Sequence, residues 1–365
     1  MLFNGLWKKK NTSQIEKPNS ILIIKLSSIG DVVHSLPLLE VLRKNYPDAK
    51  IDWLVEQDAG QIIKGHKDIN HIIVSSRKSW SKQLLQTNKK LSPKKDITRF
   101  IKELRQTDYD WVIDIQGLFK SGILVFLSKG KRKVGLSTSR EGSSMFLTEP
   151  PCPVDLDQHA IDRYLAIAKY LQCKDVPWKG EIPVDPVDEE HIEELFKDKG
   201  LQDKKIIAIN PMARWNTKLW DTQRFALLAD RIKKEWTCEI IFTGSANNQT
   251  AIKRIMDTMT VNAVDMAGET TLKELAYLYS KCDLLVTTDS GPMHIAAAMG
   301  CPTVALFGPT APWRTGPYGS GHVIIRDEIK CSPCFKKKCH HMTCMKNITV
   351  DMVFDRVMEL MKNRS

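Results

Sequence analysis

The sequence predicts an α/β protein made of two doubly wound halves, on three observations. Short apolar runs alternate with amphipathic stretches along the chain, the pattern of strands and helices in a parallel sheet. The alternation weakens once, over residues 176–186, where Pro177, Pro183 and Pro186 fall, and then restarts. The length of 365 residues suits two domains of about 150 to 200 residues each.

The elements follow in order. Ile21 to Leu26 reads as a first strand, turning through Ser27-Ser28-Ile29-Gly30-Asp31 into a helix from Val32 to Asn45. Ile51–Val55, Ile72–Val74 and Trp111–Asp114 read as further strands, the last followed by Gln116-Gly117 and an apolar helix from Leu118 to Leu127. After the proline-rich linker come strands at Ile206–Asn210, Glu239–Phe242, Leu284–Thr287 and Pro302–Phe307. Helices are expected at Asp221–Glu235, Ala251–Met259, Leu272–Ser280, Pro292–Met299 and Val350–Met361. The resulting division is a flexible tail (1–20), a first domain (21–183), a second (184–348) and a closing segment (349–365) whose helix could pack back on the first domain. Ligands of doubly wound sheets bind at the carboxyl ends of the strands, so the polar loops of both halves are expected to face one cleft.

Composition narrows the function. Apolar content of 42% is that of a soluble globular protein, and no apolar run is long enough to span a bilayer. Lys8 to Lys10 follow Leu2, Phe3, Leu6 and Trp7, the wrong order for a secretory signal, so a cytoplasmic protein is expected. The formal charge of +11 suits an anionic partner. Arg77 to Arg105 is the most one-sided stretch, with Lys78, Lys82, Lys89, Lys90, Lys94, Lys95, Arg99 and Lys102 against Asp96 and Glu103. A nucleic-acid-binding protein is the reading from another class, but no finger, helix-turn-helix or RNP motif supports it. Neither a Walker A loop nor Gly-x-Gly-x-x-Gly is present, which argues against a P-loop NTPase or an ordinary dehydrogenase.

Four groups of residues could carry chemistry. Thr288-Asp289-Ser290-Gly291 joins a strand to a small-residue helix and gathers hydroxyls, a carboxylate and free N–H groups, suiting a phosphate and a sugar; a plain helix cap is the bland alternative. Asp31 is either a helix cap or a general base at the end of the first strand. Arg214 and Lys218, interleaved with Trp215 and Trp220, could neutralise a diphosphate. Cys331, Cys334, Cys339 and Cys344 are a weak candidate for structural zinc, the second pair being spaced by four residues, and otherwise free thiols. The remaining cysteines, Cys152, Cys173, Cys238, Cys282 and Cys301, read as buried thiols.

Taken in order, Lys25-Leu26-Ser27-Ser28-Ile29-Gly30-Asp31-Val32-Val33-His34, Asp114-Ile115-Gln116-Gly117-Leu118-Phe119-Lys120-Ser121, Arg214 to Trp220, Asp289-Ser290-Gly291-Pro292-Met293-His294 and Phe307-Gly308-Pro309-Thr310 resemble the lipopolysaccharide heptosyltransferases, glycosyltransferase family nine. The second of these, with Thr138-Ser139-Arg140-Glu141 and Gln158-His159-Ala160, is most similar to heptosyltransferase I; the cysteine-rich segment is more similar to other branches. The resemblance implies a GT-B fold of two Rossmann-like domains and an inverting, metal-independent transfer of heptose from ADP-heptose to the Kdo region of the lipopolysaccharide inner core. A heptosyltransferase II or III type, with another acceptor or sugar, is the alternative.

On that resemblance Asp31 and Lys218 are catalytic. Arg214, Thr217, Gly244, Thr288, Asp289, Ser290, Gly291 and His294 hold the donor, and Lys25, Gln116, Lys120, Ser121, Arg140 and His159 the acceptor. Asn247, Asn248 and Gln249 stand where the family often has an acidic residue for the ribose diol. No cofactor is implied. The expected partners are the nucleotide-sugar, lipid A–Kdo and the anionic cytoplasmic face of the inner membrane, without nucleic acid.

Overall fold

The computed structural model describes residues 17–85 and 94–362, without the side chains of 82–85. Phe3, Trp7, Lys8 to Lys10, Lys89, Lys90 and the Lys82 side chain, all invoked above, lie outside the described residues. The chain divides into two units, 1–183 and 184–365.

In the first unit β1 (Ser20–Ile24), β2 (Lys50–Glu56), β3 (His71–Ser75), β4 (Asp108–Asp114) and β5 (Lys129–Gly135) form a parallel sheet ordered β3-β2-β1-β4-β5. The central strand is wholly buried from Ile21 to Ile24, which is why its sequence shows no polar alternation. Each such side chain contributes about 1.5–3 kcal/mol through burial.

The second unit repeats the scheme. β6 (Ile206–Asn210), β7 (Glu239–Phe242), β8 (Val264–Asp265), β9 (Leu284–Thr288), β10 (Thr303–Phe307) and β11 (Val323–Arg326) form a parallel sheet ordered β11-β10-β9-β6-β7-β8. The closing helix Val350–Lys362 belongs to this unit: Val353, Phe354, Val357 and Met361 share one core with Ile232, Val304 and Leu306.

Several elements differ from expectation. The helix expected from Val32 to Asn45 is two helices, Ile29–Val33 and Leu36–Asn45. Pro37, in the first turn of the second, lacks an N–H and its ring excludes the carbonyl four residues back, at Val33. The Ser35 hydroxyl donates to the Asp31 carbonyl at 2.7 Å and satisfies it across the break. β5 went unassigned because Lys-Gly-Lys-Arg-Lys reads as a solvated run; it is an edge strand, where lysines guard against unwanted pairing. The helices Ala160–Tyr170 and Pro186–Asp198 were also unassigned, and Pro186 opens the second rather than extending the linker, a position proline favours. Buried Glu40 shows how the linker is fixed: its carboxylate accepts the backbone N–H groups of Lys179, Gly180 and Glu181 at 2.7–2.9 Å.

Candidate active site

In each sheet the strand order reverses once, between β1 and β4 and between β6 and β9. Loops leaving neighbouring strands at such a point diverge to opposite faces and open a crevice at their carboxyl ends. Asp31 follows β1, Gln116 and Lys120 follow β4, Lys218 follows β6 and Asp289 follows β9. Each unit therefore carries its main candidates at its own switch point.

In the first unit Ser28, not Asp31, is the N-cap of the helix Ile29–Val33, and Asp31 is its capping-box partner at the third helical position. One Asp31 carboxylate oxygen accepts from the Ser28 N–H at 3.0 Å and the Ser28 hydroxyl at 2.9 Å. The other faces the Lys25 ammonium at 3.8 Å and the Tyr164 hydroxyl at 3.5 Å. The Asp31 side chain remains 35% exposed, while that of Lys25 is only 4% exposed. Lys25, expected on the acceptor side, thus lies beneath the carboxylate, donating to the Tyr164 hydroxyl at 2.7 Å and the Ile115 carbonyl at 3.1 Å. Burial pushes the Lys25 ammonium towards release of its proton, but Asp31, Tyr164 and Asp114 together outweigh burial and raise its pKa. Burial raises the Tyr164 phenol, so the Tyr–Lys pair stays protonated and cationic at neutral pH.

The other acceptor-side candidates divide into supports and exposed groups. Gln116 accepts the N–H groups of Leu26 and Ser27 at 3.0 Å each, pinning the exit of β1. Ser121 is fully buried, its hydroxyl donating to Asp114 at 2.9 Å and accepting the Leu118 N–H. Lys120 reaches Ser27 at 3.2 Å and Glu56 at 3.0 Å. Arg140 has an exposed side chain, and its backbone N–H donates to the Gly117 carbonyl at 2.8 Å. His159 caps the helix Ala160–Tyr170, its Nδ1 accepting the Ile161 N–H at 3.2 Å.

Sequence reasoning missed Glu56 and Tyr164. Glu56 ends β2, is 3% exposed, and binds three cations: Lys120, Arg77 at 3.2 Å and Lys78 at 3.3 Å. Burial raises its pKa, but the hydrogen bond from Lys120 and those from Arg77 and Lys78 prevail and lower it. Part of the basic stretch is thus neutralised internally.

In the second unit the Lys218 ammonium lies 2.6 Å from Asp289, with both side chains largely buried. The same Asp289 oxygen accepts the Thr310 hydroxyl at 2.5 Å, a partner the sequence did not reveal. Lys218 also stands over the Trp215 ring, 4.7 Å from its centroid, a favourable cation–π arrangement. Thr288 is buried, and its hydroxyl donates to the Met212 carbonyl at 3.0 Å, joining the exits of β6 and β9. Ser290 is the N-cap residue of the helix Gly291–Ala298, on which His294 is 8% exposed. Thr217 is buried and donates to the Lys336 carbonyl at 2.9 Å, whereas Arg214 is exposed. The Gly244 carbonyl accepts the Gly268 N–H at 2.8 Å. Of the three amides after it, Asn248 accepts from Ser245 and Gln249 donates to the Ala267 carbonyl, while Asn247 is exposed.

All nine cysteines are free thiols. Among the described residues no group of three or more His, Cys, Asp or Glu is placed to hold a metal ion, so the zinc reading of the cysteine segment gains no geometric support. That segment is instead tied to the loop after β10: the Cys334 and Phe335 N–H groups donate to the Pro309 carbonyl, and the Ser332 hydroxyl to the Gly308 carbonyl.

Two parallel sheets, each with polar candidates at its own switch point, define an α/β chain of two Rossmann-like units, the GT-B fold class. Residues 97–345 match the family model described as Glycosyltransferase family 9 (heptosyltransferase), and the chain belongs to that family. It is 30% identical over 331 residues to lipopolysaccharide heptosyltransferase 1 of Pseudomonas aeruginosa, covering 87% of each chain. Among solved structures, a family 9 glycosyltransferase from Veillonella parvula superposes with a TM-score of 0.77 at 24% identity, over 94% of this chain and 97% of that one. An Escherichia coli heptosyltransferase with ADP-2-deoxy-2-fluoro heptose gives a TM-score of 0.72 at 24% identity, over 93% and 99%.

Proposed function

We propose that this enzyme moves heptose from ADP-heptose to the Kdo region of the lipopolysaccharide inner core, with inversion at the anomeric carbon. The observation that carries the donor side is the Lys218–Asp289 pair at the β6/β9 switch point: a cation for a diphosphate beside a carboxylate for sugar hydroxyls. An ADP-heptose analogue in the related Escherichia coli structure and the name of the Pseudomonas relative favour these substrates.

The chemistry follows from the side chains. Asp31 accepts the proton of an acceptor hydroxyl as its oxygen attacks the anomeric carbon. The bond from that carbon to the diphosphate oxygen breaks, and its electron pair leaves with ADP. Lys218, Arg214 and the N–H groups near Gly291 stabilise the departing charge. Asp289 orients the heptose, and Asn247 is the amide left for the ribose diol. Lys120 and Arg140 meet the anionic acceptor, whose lipid portion holds the enzyme at the cytoplasmic face of the inner membrane. No metal takes part.

ADP release is the test, measured with ADP-heptose and either Kdo–lipid A or its monoheptosylated form. Turnover on the first alone supports the heptosyltransferase I reading. Turnover on the second alone replaces it with a heptosyltransferase II type, and turnover on neither rejects both.

A further inference from the structure

We infer that Lys337, on the cysteine-rich segment, is a further cation of the donor-diphosphate site, beside the same Trp215 ring that Lys218 approaches. The inference rests on the donor reading above and starts from a charge imbalance in it. A nucleoside diphosphate ester carries about two negative charges near neutral pH. Lys218 is already compensated by Asp289 at 2.6 Å, so this pair adds almost no net positive charge. Of the cations assigned above this leaves the exposed Arg214, and a dianion calls for one more.

Residues 331–344 supply one. The segment is fastened at two places, with Cys334 and Phe335 donating to the Pro309 carbonyl and the Thr217 hydroxyl donating to the Lys336 carbonyl at 2.9 Å. Both anchors adjoin the site: Thr217 precedes Lys218, and Pro309 precedes Thr310, which donates to Asp289. So fixed, the Lys337 ammonium lies 5.3 Å from the centroid of the same Trp215 ring that Lys218 covers at 4.7 Å. The ring thus has two ammonium groups within cation–π range. Lys337 is exposed, which leaves it accessible to a ligand from solvent. In this arrangement the segment is a positively charged wall of the donor site, and Thr217 couples its position to Lys218.

Calorimetric titration of ADP into the wild-type protein and the Lys337→Ala, Lys337→Glu and Lys337→Arg variants, at low and moderate ionic strength, tests this. Lys337→Ala should weaken ADP binding about three- to tenfold at low salt, Lys337→Glu more, and the differences should shrink as salt screens them. Lys337→Arg should restore most of the affinity. ADP binding by Lys337→Ala equal to wild type at low salt overturns the inference and leaves the donor reading intact. Equal losses in the alanine and arginine variants overturn it too, because seating of the segment, not charge, would then be responsible. Wild-type protein that binds no ADP rejects the donor reading and the inference with it.

Discussion

The Lys218 ammonium and the Asp289 carboxylate, 71 residues apart, meet at 2.6 Å where β6 and β9 end. An ion pair this enclosed holds two loops together while each partner retains a use towards a ligand.

Removing one partner therefore has two effects. Lys218→Ala leaves the buried Asp289 carboxylate with only Thr310 to satisfy it among the described residues, which should cost about 2–3 kcal/mol of stability. It should also weaken ADP binding and slow transfer. Thermal melts and ADP titration on the same sample check both, and an unchanged melting temperature would show that the pair does not brace the fold.

Asp31→Asn keeps a carbonyl oxygen able to accept the cap hydrogen bonds from Ser28 but cannot take a proton. Turnover should fall about 10²–10⁴-fold with ADP affinity close to wild type. Residual turnover within tenfold of wild type would remove Asp31 as the base.

Glu56 gives a pH dependence with a definite sign. Its folded pKa lies below its ordinary 4.5, so its contribution to stability is complete above 4.5 and is lost as pH falls through the lower folded value. Glu56→Gln should be less stable than wild type at neutral pH, and the gap should close on acidification below 4.5. Denaturant melts at pH 7, 4.5 and 3 read this directly; a gap that widens in acid would contradict it.

Gly117 has φ +63°, and a Cβ there would meet the Ser139 hydroxyl at 2.9 Å and the Ser139 Cα at 3.2 Å. Gly117→Ala should destabilise the protein by about 1–3 kcal/mol and displace the loop that carries Arg140. The acceptor KM should rise more than the donor KM in steady-state kinetics.

Much of the fold was legible because parallel strands announce themselves: Ile21–Ile24 and Leu284–Val286 are apolar on both faces. β5 was not, since its lysines are those of an edge. The placement of the candidate residues at strand ends was readable for the same reason as the strands. Their partners were not: Glu56 is 64 positions from Lys120, and Tyr164 is 133 from Asp31. Pairs so distant become visible only once the sheet order is known. Gln116 and Ser121 show the converse, with motif residues that serve the backbone rather than solvent.

Gly308 gives the cysteine-rich segment its seat. A Cβ at that position would lie 2.5 Å from the Met345 sulfur and 3.1 Å from the Cys344 sulfur. The fit is therefore reciprocal: a side chain at position 308 would require those of Met345 and Cys344 to shift. For anyone grafting parts between relatives, residues 307–310 and 331–345 form a single cassette. A chimera that exchanges one without the other changes one side of the contact at Gly308 and not its complement.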